Sequence, residues 1–178
     1  MIDNFRHIKD FDITAIKQHV ESLTNEWLDD QSRQILFKVH RNTNSIIVTD
    51  FPLYWEGVDY PMTFEKTKTF DLVKPIIDDL ECILDGKVGR SLFAKLFAHS
   101  TIPLHPDGGY YLGSAYRCHI PIVTNDQVIF TVGNETMCME IGKCFVINNN
   151  TLHGVVNESD TDRIHLIVDI IPSHAFKG

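Results

Sequence analysis

From Gly89 onward the chain breaks into short β-type runs, and that punctuation restricts the fold more than any other feature of the sequence. The runs are Leu92–Ala98, Ile102–His105, Ala115–Val123, Val128–Val132, Thr136–Ile141, Lys143–Ile147, Leu152–Asn157 and Arg163–Ile171. Between them stand turn signals: Gly108-Gly109, Asn125-Asp126, Gly133-Asn134, Gly142, Asn148 to Asn150 and Ser159-Asp160. Glycine reaches backbone angles closed to other residues, and Asn and Asp satisfy turn amides with their own side chains, so each cluster is a place to end a strand. Short consecutive strands with this punctuation predict an antiparallel sandwich or jelly roll.

The first half reads differently. Ile13, Ile16, Val20, Leu23 and Trp27 recur at helical steps of three and four, predicting a helix over residues 12–28 with Asp12 placed to cap its start. The β-rich runs Ile35–His40 and Ser45–Asp50 flank an Asn-containing turn and predict a hairpin. Phe51–Pro61 is a Pro- and Gly-punctuated loop with aromatic residues, either pinned by their packing or forming a wall of a cleft. Helical spacing returns over residues 70–84, with Gly86 as a stop. At 178 residues, with no linker, repeat or low-complexity tract, the expectation is one domain over 1–178. Residues 1–87 would supply helices and a hairpin packed on a β core over 88–172, a mainly β protein with flanking N-terminal helices.

Charge and composition exclude some functions. A net charge of −8 gives no broad attraction for nucleic acid or an anionic membrane, although a local basic pocket is compatible with it. No apolar run approaches the roughly 18 residues that span a bilayer, and Met1 to His7 lack the apolar segment of a signal peptide. Cys82, Cys118, Cys138 and Cys144 show no CxxC spacing and sit in apolar surroundings, so a reduced, cytoplasmic protein without disulfides is expected.

Within the β half, His105-Pro106-Asp107 places an imidazole and a carboxylate two residues apart, on one face of an extended strand. Two such groups plus a second imidazole make a 2-His-1-carboxylate set, which holds non-haem Fe(II) and leaves positions open. His-x-Asp alone is expected about once by chance at this composition, so it needs company. His153, after the Asn-rich turn and 46 residues beyond Asp107, is the third candidate. Arg163 then enters an otherwise apolar strand, where a guanidinium is costly to bury without an anion and matches a carboxylate bidentately. Its partner could be Asp160, Asp162 or Asp169, or a ligand. Arg117 and His119 share a face of their strand, and with Arg163 they could cradle a dicarboxylate beside the metal.

Taken together, His105-x-Asp107, Arg117-x-His119-x-Pro121-Ile122, Gly142, His153-x-Val155-x-Asn157 and Arg163-Ile-His-Leu-Ile-Val-Asp169 resemble the aspartyl/asparaginyl β-hydroxylase family of 2-oxoglutarate-dependent oxygenases. The resemblance spans about residues 88–171 and extends to Thr43-Asn44-Ser45 and the helix at 70–84. It implies a double-stranded β-helix (jelly roll, cupin-like), with His105, Asp107 and His153 as iron ligands. It further implies that Arg163 takes the distal carboxylate of 2-oxoglutarate, and that Arg117 and His119 line the same pocket. The implied activity is hydroxylation of a C–H bond of an amino acid or a peptide side chain, with O2 consumed and succinate and CO2 released. Ala94 stands where some members place a serine beside the distal carboxylate. Nucleic acid and membrane are not expected partners.

Two alternatives stay open at this level: a non-catalytic cupin-like module binding metal or a small acid, and a cupin-type metal enzyme without 2-oxoglutarate. Gly108 to Gly113 could be a lid or an ordinary turn, and His165 could border the pocket or be structural. Asn157 is expected to bond the backbone at a strand end. His7, His19, His40 and His174 read as surface residues.

Overall fold

The computed structural model describes residues 3–29, 31–50 and 68–176. Ten strands form two antiparallel sheets that face each other, the double-stranded β-helix. The larger sheet contains β1 (Phe5–Asp10), β2 (Thr43–Thr49), β3 (Gly86–Leu96), β5 (Tyr116–Val123), β8 (Lys143–Ile147) and β10 (Arg163–Pro172) in the order β1-β8-β5-β10-β3-β2. The smaller contains β4 (Ser100–His105), β6 (Val128–Val132), β7 (Glu135–Met137) and β9 (His153–Asn157) in the order β4-β9-β6-β7. Each run expected in the second half contains a strand; the largest differences are β3, which begins six residues before the expected Leu92, and β7, which ends at Met137 where the run was expected to reach Ile141.

Helices α1 (Thr14–Ser22) and α3 (Lys68–Ile83) cover one face of the larger sheet. In α3, Val73, Ile76, Ile77 and Leu80 recur at helical spacing and are buried, and Pro75 is accommodated within it. They meet Phe93, Ile120, Leu166 and Val168 in one apolar core. As expected, Asp12 sits at the start of α1, where its carboxylate accepts the Thr14 amide at 3.0 Å and hydroxyl at 2.7 Å. Those bonds favour the ionised form and lower its pKa.

The N-terminal half departs from expectation in three ways. Residues 5–10 form a strand that pairs with β8. The expected long helix stops at Ser22, and Asn25–Leu28 is a 3-10 turn that buries Trp27. The hairpin does not form: Ser32–Leu36 is a short helix, α2, and Lys38–His40 a 3-10 turn. β2 pairs instead with β3, Ile46 opposite Phe93, which sets it at the edge of the larger sheet. Ile35, Leu36 and Phe37 are left exposed. The Phe51–Pro61 loop lies outside the described residues. All four cysteines are free; Cys118 and Cys144 are buried as expected, whereas Cys82 and Cys138 are exposed. Among the described residues no helix is long and apolar enough to cross a membrane.

Candidate metal centre and its cleft

The smaller sheet brings two histidines together. β4 and β9 run antiparallel with His105 directly opposite His153, and their rings lie 4.6 Å apart between centroids. A Cβ on Gly154 would come within 2.7 Å of the Ile102 carbonyl oxygen, so only glycine allows this approach of the two strands. β4 also slips register between Ile102 and His105, where Pro103 has no amide to give the ladder.

His105 Nδ1 lies 2.7 Å from the carbonyl oxygen of Pro103, and His153 Nδ1 2.9 Å from that of Thr151. A carbonyl only accepts, so in each ring Nδ1 carries the proton and Nε2 keeps its lone pair free. Burial lowers the pKa of His153 and so favours the neutral, ligating form. His105 Nε2 lies 4.0 Å from Asp107 Oδ1, and His153 Nε2 3.7 Å from Asp107 Oδ2. One ligand atom from each of the three residues falls within 4.8 Å of the others, so the expected triad converges.

It does so by a different route from the one expected. β4 ends at His105, and Asp107 lies beyond the strand, where its amide donates to the Asn149 carbonyl oxygen at 3.0 Å. Its carboxylate is held from the other side by Arg117, whose Nη1 donates to Oδ2 at 2.6 Å. The same guanidinium donates through Nε and Nη2 to the two oxygens of Asp169, at 2.8 and 2.9 Å. Burial opposes the charge on Arg117, but Asp169 and Asp107 outweigh it and raise its pKa. Arg117 therefore lines the cleft with three of its five N–H donors committed to two carboxylates. The Tyr111 hydroxyl donates to Asp169 at 3.2 Å and accepts the Arg90 amide at 2.7 Å, anchoring the Gly108–Gly113 segment at that residue.

Arg163 is 2% exposed, and among the described residues it has no carboxylate partner. Each aspartate that might have paired with it is engaged elsewhere: Asp169 with Arg117, Asp160 with His99, and Asp162 with the Ala98 amide. Arg163 Nη2 donates to His165 Nδ1 at 2.8 Å, its guanidinium carbon lies 5.9 Å from the Phe130 ring centroid, and its Nε finds no partner. Burial, and then Arg33, push its pKa down to about 9, which leaves it a cation at neutral pH. Both ring nitrogens of His119 and Nε2 of His165 are likewise buried without a partner. Burial and Arg163 lower the pKa of both imidazoles, so both are neutral.

His105, Arg117, His119, His153 and Arg163 line one cleft. Buried polar atoms in proteins are almost always paired. The orphaned groups and the triad meet in one cleft, an arrangement suited to a small polyanion that also reaches a metal. Ala94 lies in the wall where a serine would offer a hydroxyl.

Two cleft residues were not anticipated. His40, expected at the surface, lies with its ring 5.7 Å from that of His105, and burial, then Arg33, push its pKa down to about 3. Arg33 lines the same cleft from α2. Their sequence signal was masked by Ile35, Leu36 and Phe37, whose apolar character suggested a strand. Asn157 behaves as expected, bonding the backbone carbonyls of Phe97 and Thr161.

A family model described as Aspartyl/Asparaginyl beta-hydroxylase matches residues 10–172. Among solved structures, a prolyl hydroxylase in complex with a hypoxia inducible factor oxygen degradation domain peptide fragment, from Trichoplax adhaerens, superposes with a TM-score of 0.60. It is 10% identical, over 97% of this chain and 85% of that one. An oxidoreductase of the 2OG-Fe(II) oxygenase family from Burkholderia pseudomallei gives a TM-score of 0.53 at 10% identity, over 72% of this chain and 67% of that one. At such identity these two likenesses speak to the fold. No curated protein matches the sequence.

Proposed function

The chain belongs to the aspartyl/asparaginyl β-hydroxylase family, a family of 2-oxoglutarate-dependent hydroxylases, and from that premise we propose how its cleft does the work. His105, Asp107 and His153 hold Fe(II), and Arg163 takes the distal carboxylate of 2-oxoglutarate. The substrate is an amino acid or a peptide side chain. A C–H bond becomes C–OH while 2-oxoglutarate and O2 become succinate and CO2. Two imidazoles and a carboxylate suit Fe(II) and leave positions open on it. Iron and co-substrate supply the oxidising chemistry when bound, and the chain supplies position, charge and dryness.

Each residue has a task that its surroundings support. The Pro103 and Thr151 carbonyls fix the tautomers of the two histidines. Arg117, backed by Asp169, holds the Asp107 carboxylate in place and would line the co-substrate pocket beside it. His165 holds the Arg163 fork in place. His119, neutral and unpaired, offers the co-substrate a hydrogen bond. Phe130, Val155 and Ile167 wall the cleft and exclude water.

The observation that carries this reading is Arg163, a buried cation without a carboxylate, in the same cleft as a convergent metal triad. A metal enzyme without a dicarboxylate co-substrate would have no use for it. The test is anaerobic calorimetry with Fe(II) and 2-oxoglutarate, followed by addition of oxygen and assay of succinate. Saturable 2-oxoglutarate binding that requires Fe(II), and that disappears in His153→Ala, is the expected result. If neither ligand bound, and His153→Ala behaved as wild type, the reading would be wrong.

A further inference from the structure

Three arginines, Arg33, Arg117 and Arg163, line the cleft, and the pairing already described leaves them unequal. Arg117 has two carboxylates. Arg163 has none among the described residues, and its proposed partner is one end of 2-oxoglutarate. Arg33 also makes no ion pair among the described residues, and its Nη1 is buried without a hydrogen bond. It lines the same cleft as His40, His119 and Arg163.

The local structure directs Arg33 there. α2 is a single short helix whose apolar residues Ile35 and Leu36 face solvent, 78% and 72% exposed, while Arg33 is turned inward. A helix normally buries its apolar face, so this inversion works against stability. Burying a guanidinium without a carboxylate paired to it adds to the cost: burial, then Arg117, push the pKa of Arg33 down to about 10, against the smaller opposing pull of Asp107 and Asp169. His40 follows from the same segment and lies against His105, in the cleft that Arg33 also lines.

Charge balance points the same way. Among the described residues the cleft holds three guanidinium groups against the carboxylates of Asp107 and Asp169. A ferrous ion and doubly charged 2-oxoglutarate cancel each other. One positive charge remains, and it is on Arg33.

Resting on the function proposed above, we infer that Arg33 is the substrate-binding cation of this site. It pairs with the α-carboxylate of a small substrate, a free amino acid, and sets that molecule beside the metal against His40. A peptide-bonded residue, whatever its side chain, has no free α-carboxylate to offer Arg33.

The test uses the Fe(II)-loaded protein under anaerobic conditions. 2-Oxoglutarate is titrated by calorimetry into wild type, Arg33→Gln, Arg33→Lys and Arg163→Gln. The twenty common L-amino acids, their C-terminal amides and a short end-blocked peptide containing Asp are then screened for thermal protection and titrated. At least one free amino acid should bind the 2-oxoglutarate-loaded protein, with its amide at least tenfold weaker. Arg33→Gln should lose at least tenfold in affinity for that amino acid while binding 2-oxoglutarate within threefold of wild type. Arg33→Lys, which keeps the charge, should recover part of the loss and also controls for folding. The inference is overturned if no free amino acid binds, if amides or the blocked peptide bind equally well, or if Arg33→Gln loses 2-oxoglutarate as Arg163→Gln does. That last result would assign both free cations to the co-substrate. Failure of wild type to bind 2-oxoglutarate at all would remove the proposed function itself, and this inference with it.

Discussion

The two faces of β10 make opposite use of the same backbone. On one face Ile164, Leu166, Val168 and Ile170 enter the apolar core beneath α1 and α3. On the other, Arg163, His165 and Asp169 are as deeply buried, yet they are polar and serve the cleft. Every residue of the strand is buried, so burial does not distinguish the faces; the partner across each face does. The helix side is satisfied by the protein itself. On the cleft side Asp169 is met by Arg117 and Tyr111, whereas among the described residues Arg163 Nε and His165 Nε2 find no partner, nor does either ring nitrogen of His119 on neighbouring β5. A buried group that the fold does not complete is a group kept for something else.

Substitutions on the two faces should therefore separate stability from binding. The largest loss of stability is expected from Asp169→Asn on the cleft face, which takes from a buried guanidinium the carboxylate that holds it twice. Urea unfolding of the metal-free protein should show a drop of about 3–5 kcal/mol. Loosening of Asp107 should weaken Fe(II) binding roughly 10- to 100-fold. Leu166→Ala on the helix face should cost about 2–5 kcal/mol through the cavity it leaves, with 2-oxoglutarate affinity unchanged in the folded fraction. Equal losses of binding in both variants would erase the distinction between the faces.

Acid should act on the cleft face next. His119 and His165 are held neutral by burial, with pKa values below the ordinary 6.5, so the unfolded chain takes up protons that the folded chain refuses. Their neutral state supports the fold above pH 6.5, and that support is lost as pH falls below it, at up to about 1.4 kcal/mol per pH unit for each imidazole. Unfolding curves at successive pH values should show this slope in wild type and a shallower one in His165→Phe. The smallest change in stability is expected from Arg163→Met, which removes an unpaired charge of similar volume. Metal-free stability should stay level or rise by about 1 kcal/mol, while 2-oxoglutarate affinity falls at least a hundredfold. A strongly destabilised Arg163→Met would mean that the guanidinium is structural.

How much of this could be read beforehand follows the same division. Strands with period-2 burial and turn residues at their ends were readable because both signals are local. His105, Asp107 and His153 were readable as a set because metal chemistry restricts residue types. The partner of Arg117 was not, because its pairing with Asp169 depends on the cross-strand register of β5 and β10, which no local pattern encodes. The hairpin over Ile35–Asp50 failed for the same reason: β2 preferred a strand more than forty residues away in sequence. Arg33 and His40 were hidden because α2 turns its apolar side chains outward, the reverse of the rule used to read it.

The facing of His105 and His153 across β4 and β9 has a consequence for how the chain matures. A slip of one residue between these strands would turn one imidazole to the opposite side of the sheet. Misregistered chains therefore offer no chelate, however native they look in overall dimensions. Capture of the ion would discriminate between correctly and incorrectly threaded molecules, stabilising only the former by mass action. The glycine at position 154, with no side chain of its own, sets the tolerance of that inspection.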